Sequence, residues 1–156
     1  MANPFPFVSG DILTAAELNE IGAWEDWTPS FTNFTLGNGT VGFARYARVN
    51  DLVCANVDVT LGSTSSVSGD IRIDLPVNAA QPNGEVLVTV GVGRAFDSST
   101  SSVYWLVPYI VAATEVRVYA TRVNTTYAVR ASTSATVPIT WASGDAFQIS
   151  FTYEAA

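Results

Sequence analysis

Histidine is absent from this chain of 156 residues, which removes much of the chemistry it could otherwise do. The commonest general base is missing, and with it every nucleophile–histidine triad. Asp70 and Asp74 share one face of a strand, as a pair of working carboxylates would, but Arg72 stands between them on that face. A solvated ladder of alternating charge accounts for the three better than an acid–base pair. Asp58, flanked by Asn56 and Thr60, could offer oxygen ligands to a hard cation together with the Asp70 loop, yet the spacing matches no calcium-loop pattern. Gly91-Val-Gly93 is followed by no helix, so it is not a nucleotide fingerprint, and the two glycines instead permit close packing or a bulge. Cys54 is alone, which excludes an intrachain disulfide and a thiolate cluster, and it reads as a small buried residue. Carboxylates paired across a cleft and flanked by aromatics, as glycoside hydrolysis needs, are not legible. The residues therefore predict no catalytic group, no metal site and no cofactor.

Four tryptophans remain to be explained. Aromatic faces can stack on sugar rings, but large aromatics in a β-domain more often serve a core or an interface. Trp24 and Trp27 fall at the junction of two regions, Trp105 lies in an apolar run, and Trp141 precedes the last turn. The loops most open to a ligand are 62–69, 97–102 and 131–136, all rich in Ser and Thr. Asn33, Asn38 and Asn124 begin glycosylation-type triplets, incidental where no secretion signal precedes them.

The composition narrows the partners. Hydrophobic residues make up 48% of the chain and charged residues 13%, about half the share that soluble domains carry. With a mean hydropathy of +0.25, there is more apolar surface than a lone small domain needs to hide, so association or packing into a larger assembly is expected. Fourteen acids oppose seven arginines, with no lysine, giving a net charge of −7. That balance argues against nucleic acid and anionic membrane, both of which favour clustered positive charge. No basic region followed by an apolar core opens the chain, and no apolar run approaches the roughly 20 residues of a membrane helix. A soluble protein made in a cytoplasm is the expectation.

The elements that must position these residues are strands. The stretch from Glu85 to Ala113 organises the rest: two apolar runs, 85–94 and 103–113, joined by the serine-rich connector 96–102. In the first, Val86, Val88, Val90 and Val92 take one face at a period of two, and Leu87, Thr89, Gly91 and Gly93 the other. The second is apolar on both faces, with Val103, Trp105, Val107, Tyr109 and Val111 opposed to Tyr104, Leu106 and Ile110. Such a strand must be covered on both sides, and Pro108, which has no N–H, points to a sheet edge or a bulge. An apolar edge left in water would invite aggregation. Trp105, Val107, Tyr109 and Ile110 are therefore expected at a contact with another copy of the chain.

Further strand patterns run from Trp27 to Thr35, Thr40 to Val49, Val53 to Leu61, Ile71 to Leu75, Val116 to Tyr119, Tyr127 to Arg130 and Phe147 to Tyr153. Eight or nine strands at regular spacing predict an all-β domain over 27–156, an antiparallel β-sandwich of jelly-roll type. Residues 1–26 differ and read as an arm. Pro4 and Pro6 keep its start extended, and a small helix is predicted over 14–21, with Thr14 and Glu17 as a capping box and Gly22 as its stop. A helix that short is not stable alone in water. Phe5, Phe7, Leu13, Leu18 and Ile21 are expected to grip a partner, along an arm that reaches on the order of 80 Å when stretched.

The wording of the chain adds to its periodicity. Gly10-Asp-Ile-Leu-Thr-Ala-Ala-Glu-Leu-Asn19, Trp27-Thr-Pro-Ser-Phe31, Leu36-Gly-Asn-Gly-Thr40, Ala44-Arg-Tyr-Ala47, Ile71-Arg-Ile-Asp-Leu-Pro-Val77, Pro138-Ile-Thr-Trp-Ala-Ser-Gly-Asp145 and Thr152-Tyr-Glu-Ala155 together resemble a family of small bacteriophage virion proteins, many from phages of actinobacteria. The resemblance spans nearly the whole chain and carries no catalytic signature. It implies a homotrimeric β-sandwich in the virion, of minor-tail or capsid-decoration type. Because the chain is one compact domain with no fibre shaft, the expectation leans to a non-enzymatic decoration protein anchored on the capsid by its arm. The alternative is a tail-fibre-type receptor-binding protein that recognises host surface glycan and serves host attachment.

Overall fold

The computed structural model describes residues 10, 12, 14–15, 21–80, 88–124 and 126–156. Most of the predicted arm, including Phe5, Phe7, Leu13 and Leu18 and the body of the helix over 14–21, lies outside the described residues. The domain is all-β and antiparallel. Its strands are β1 Glu25–Asp26, β2 Phe31–Thr35, β3 Thr40–Val49, β4 Leu52–Thr60, β5 Ser66–Asp74, β6 Val88–Thr89, β7 Gly91–Asp97, β8 Ser102–Ala112, β9 Glu115–Asn124, β10 Tyr127–Ser132 and β11 Ala146–Glu154.

They form a single sheet in the order β1-β3-β4-β11-β7-β8-β9-β5-β2, with β6 alongside β8 and β10 alongside β9. The sheet curls until its flanks face each other, so one surface becomes the interior of a sandwich-like body. Phe31 and Phe34 of β2, at one end of the strand order, stack edge-on against Phe147 of β11 near its middle (6.5 and 5.4 Å between centroids). Alternation fills that interior: Val53, Ala55, Val57 and Val59 from β4, Phe147, Ile149, Phe151 and Tyr153 from β11, Val116 and Val118 from β9, Ile71 and Ile73 from β5. Trp27 and Trp141 pack against this core.

Hairpin registers give the molecule two ends. At one end lie the β3–β4 turn at Asn50-Asp51, the β8–β9 turn and the C-terminus, where the Ala155 N–H donates to the Asp51 carbonyl (2.6 Å). At the other lie the β2–β3, β4–β5, β7–β8 and β9–β10 connections and the turn before β11. The chain enters at the first end: β1 pairs Glu25 with Tyr46 and Asp26 with Arg45, and a side chain on Gly22 would touch Val49. The last two residues assigned to the arm are thus joined to the sheet.

Two departures from simple alternation matter. Gly93 pairs with Leu106 and Thr89 with Tyr109, so the β6–β7 chain advances four residues while β8 advances three. The extra residue is a bulge at Val90, whose N–H donates to the Pro108 carbonyl (3.1 Å) and whose carbonyl accepts from Thr152 (2.8 Å). Pro108 therefore lies opposite a break in its partner, as a residue without an N–H requires, in a strand that β9 covers on its other side. The bulge overturns the expectation that Val90 and Val92 share a face. Val90 packs against the core, whereas Val92 and Arg94 turn outward with Thr89. A second bulge, between Val41 and Phe43, likewise turns Val41 to the core and Phe43 outward.

Candidate functional site

The outer surface of the sheet carries the accessible chemistry. Antiparallel pairing sets side chains in rows across the strands: Asp58 of β4 faces Gln148 of β11, Gln148 faces Arg94 of β7, and Arg94 faces Trp105 of β8. Thr121 of β9, whose hydroxyl donates to the Trp105 carbonyl (3.3 Å), continues the row to its partner Arg130 of β10. At about 4.8 Å between strands, the step from Gln148 to Trp105 is roughly 10 Å.

Trp105 is 63% exposed and walls a shallow depression of about 220 Å³ with Val92, Gly93, Arg94, Gln148 and Ser150. Two smaller depressions adjoin it, one beside Cys54 and Asn56 and one between Asp58 and Phe96. The floor is shaped by glycine. A Cβ on Gly91 would come within 2.0 Å of the Ser150 carbonyl oxygen, and one on Gly93 within 2.5 Å of that of Gln148. Only residues without side chains let β7 lie this close to β11.

Toward the other flank the outer surface is half-buried and laced with arginine–aromatic and arginine–carboxylate contacts. Tyr109 and Tyr119 meet edge-on at 5.1 Å, Arg130 lies over both rings (5.4 and 4.7 Å), and Arg117 lies over Tyr119 (4.9 Å). Asp70 accepts ion pairs from Arg72 (2.9 Å) and Arg117 (2.8 Å), and Arg72 also reaches Glu115 (2.7 Å). The Asp70–Arg72 pairing read from the sequence is part of this ladder. Hydrogen bonds to Asp70 and Glu115 raise the Arg72 pKa further above its already high value. Arg94 and Arg130 have no carboxylate partner among the described residues, whereas Arg48, Arg72 and Arg117 do.

The four residues expected at a subunit contact do not share one surface. Trp105 projects, Val107 and Tyr109 are half-buried on the same side, and Ile110 points the other way into the chain's own core at 4% exposure. Alternation along β8 makes that division unavoidable. Val103 and Val123, at 49% and 76% exposure, join Trp105 as outward apolar residues that sequence reasoning left unassigned to a site. Cys54 also departs from expectation: it is half-buried on the outer side, beside Thr152 (3.5 Å), because it shares the parity of Asn56 and Asp58.

Sequence reasoning missed two buried polar groups. Asp145, at 2% exposure, accepts from the Ser98 N–H (2.9 Å), the Ser98 hydroxyl (2.9 Å) and the Ala142 N–H (2.8 Å), while its own carbonyl accepts from Leu61 (2.8 Å). It ties three loops at the end remote from Gly22 and the β3–β4 turn. The hydroxyl of Thr133 accepts from the Ile71 N–H (2.8 Å) and donates to the Val118 carbonyl (3.0 Å), filling the place where β10 displaces β5 from the β9 ladder. An Asp after a Ser-Gly turn and a Thr ending a strand are the only signals either residue gives.

Among the described residues no group of three or more His, Cys, Asp or Glu side chains could hold a metal ion, and no helix is long and apolar enough to cross a membrane. No protein-family model matches the chain, and neither a curated protein nor a solved structure matches it significantly.

Proposed function

We propose that the protein is a non-enzymatic structural protein of a bacteriophage virion, a homotrimeric decoration protein set on the capsid through its N-terminal arm. The resemblance along the chain supports this reading, and one structural observation carries it: the segment that leads into the sheet and the Arg94–Trp105 row lie toward opposite ends of the strands. The arm enters at one end, beside Trp24, Val49 and Leu52, all exposed apolar side chains suited to lie against a capsid protein. The stapled loops and the Arg94–Trp105 row lie toward the other end, where a projecting domain would present them.

Light scattering on the purified protein is expected to give three times the 16.6 kDa chain mass. Removing residues 1–20 is expected to abolish co-sedimentation with phage particles while leaving the trimer intact. A stable monomer with no affinity for a capsid or tail protein would refute the proposal.

A second reading, a minor-tail protein that recognises host surface glycan, is favoured by one feature only. Trp105 offers an open indole ring beside Arg94, with Gln148 one strand further on, on the outer face of the sheet in the half remote from Gly22 and the β3–β4 turn.

A further inference from the structure

We infer that the depression between Arg94 and Trp105 is a binding site for an anionic oligosaccharide, one that bears carboxylate or phosphate on its sugar rings. The inference rests on the glycan-recognition reading and names the ligand class that the site would take.

The first argument is shape. A cleft of about 220 Å³ with an exposed indole along one wall suits a flat ring laid against the sheet, not a side chain inserted into a pocket. An indole face is apolar and broad, so it buries the C–H face of a sugar without demanding a hydrogen bond. The bulge at Val90 makes the pairing possible. It turns Val92 and Arg94 to the same side as Trp105, while Gly93 faces inward, where a Cβ would strike Ile149 and the Gln148 carbonyl.

Hydrogen-bonding capacity is the second argument. Gln148 brings an amide with both donors and an acceptor, and Ser150 a hydroxyl that is already bonded to Asn56. Asp58 stands two strands from Arg94 on the same row. These are groups that recognise hydroxyls at intervals along a chain: Gln148 and Asp58 are one strand separation of about 4.8 Å apart, and Gln148 and Ser150 are two residues, about 7 Å, apart along β11.

Charge selects among saccharides. In a chain of net charge −7, Arg94 is exposed, paired with no carboxylate among the described residues, and adjacent to the indole. Arg130, likewise without a carboxylate partner, ends the row two strands beyond Trp105 and lies over Tyr109 and Tyr119. An unpaired guanidinium beside an aromatic platform is complementary to an acidic group on a stacked ring, since the fork of N–H donors matches carboxylate and phosphate oxygens. The overall negative charge does not defeat this. At physiological ionic strength charges more than about 8 Å apart are largely screened, so the contact guanidinium outweighs distant acids.

The test is calorimetric titration of the intact protein with a panel of uronate-bearing and phosphate-bearing oligosaccharides, each beside its neutral counterpart, with an oligothymidylate as a further arm. The expected result is binding of at least one anionic member roughly tenfold or more tighter than its neutral counterpart. Arg94→Ala should remove that preference, Trp105→Ala should weaken acidic and neutral members alike by about tenfold, and Arg94→Lys should restore part of the preference. Both positions are exposed, and unchanged thermal unfolding of the variants would show that the fold is kept. Equal binding of acidic and neutral members would overturn the inference while leaving glycan recognition standing. Failure of every saccharide to bind would overturn both. Preferential binding of the oligothymidylate would overturn the inference in favour of a nucleic-acid site.

Discussion

Replacing Asp145 with alanine tests whether the end remote from the β3–β4 turn is held by a single buried carboxylate. Three donors converge on it: the backbone N–H groups of Ser98 and Ala142 and the Ser98 hydroxyl, all between 2.8 and 2.9 Å. A hydrogen bond to an ionised acceptor contributes about 1.5–3 kcal/mol, and a buried donor left without a partner costs about 1–3 kcal/mol. In the alanine variant the Ser98 hydroxyl can rotate to another acceptor, while the two backbone N–H groups, on exposed and only partly buried turns, are left to water for part of what is lost. Relief of the carboxylate's own desolvation offsets part of the loss. The net expectation is about 3 kcal/mol, a large fraction of the 5–15 kcal/mol that holds a typical domain. For a chain of this size that corresponds to a fall in Tm of about 6–12 °C.

The measurement is urea unfolding of both proteins, read as a lower midpoint at unchanged slope. Asp145→Asn sharpens it. The amide can still accept from Ser98, but its NH2 group then faces the Ala142 N–H, so the loss should be intermediate, about 2 kcal/mol. Asp97 supplies an internal comparison in the same loop region. Its carboxylate also accepts three bonds, from the Ser99 N–H and hydroxyl and the Thr100 N–H, and those bonds hold its pKa below the usual carboxylate value. Because Asp97 is open to water, which can replace the lost acceptor, Asp97→Ala should cost far less than Asp145→Ala. Equal effects of the two alanine variants, or a loss below about 1 kcal/mol at Asp145, would refute the reasoning that burial gives these bonds their weight.

Two further outcomes follow from other buried polar groups. Thr133→Val, which keeps the shape and removes the hydroxyl bridging Ile71 to Val118, is expected to destabilise by about 2 kcal/mol in the same assay, with Thr133→Ser close to the parent. Tyr153 is held by burial at a pKa of about 12, and its hydroxyl donates to the Val77 carbonyl (2.7 Å). In the unfolded chain the phenol ionises near pH 10, so its contribution is complete below that pH and is lost as pH rises toward 12. Denaturation midpoints should therefore fall between pH 10 and 12 in the parent and flatten in Tyr153→Phe.

The all-β fold was legible because most strands alternate cleanly. Val53 to Leu61 and Phe147 to Tyr153 keep a dry face and a wet face over their full length, and both faces are where a period of two puts them. The turn at Asn50-Asp51 and the serine-rich hairpin loop between Asp97 and Ser102 were equally readable from residue type. What stayed hidden were places where a single residue breaks the period. Pro108 and the glycines at 91 and 93 admitted a bulge without placing it, and the extra residue, a valine, carries no mark of its own, so the face of Arg94 could not be read from its neighbours. The candidate site shares that fate: Trp105 was singled out, but Arg94, Gln148 and Ser150 join it only through pairings between β7, β8 and β11 that local sequence does not encode. The same holds for Asp145, which meets Ser98 across 47 residues of chain.

The Val90 bulge links these threads, because it decides which side of the sheet each half of the β6–β7 segment serves. Thr89 faces outward opposite Tyr109, and without an extra residue Gly91 and Gly93 would follow it outward while Val92 and Arg94 turned into the core. A guanidinium inside would be an unpaired buried charge, and glycines outside would leave a bare strip of backbone. The inserted residue reverses both. Glycine then falls where β7 must press against β11, and arginine falls beside the tryptophan. Pro108, unable to donate to a regular partner, sits opposite the break, so the two irregularities accommodate one another at the centre of the sheet. Bulges are over-represented at sheet edges and next to functional sites, where they re-aim a side chain. Here the re-aimed side chains are the ones that meet Trp105, Gln148 and Ser150 on the outer face of the sheet.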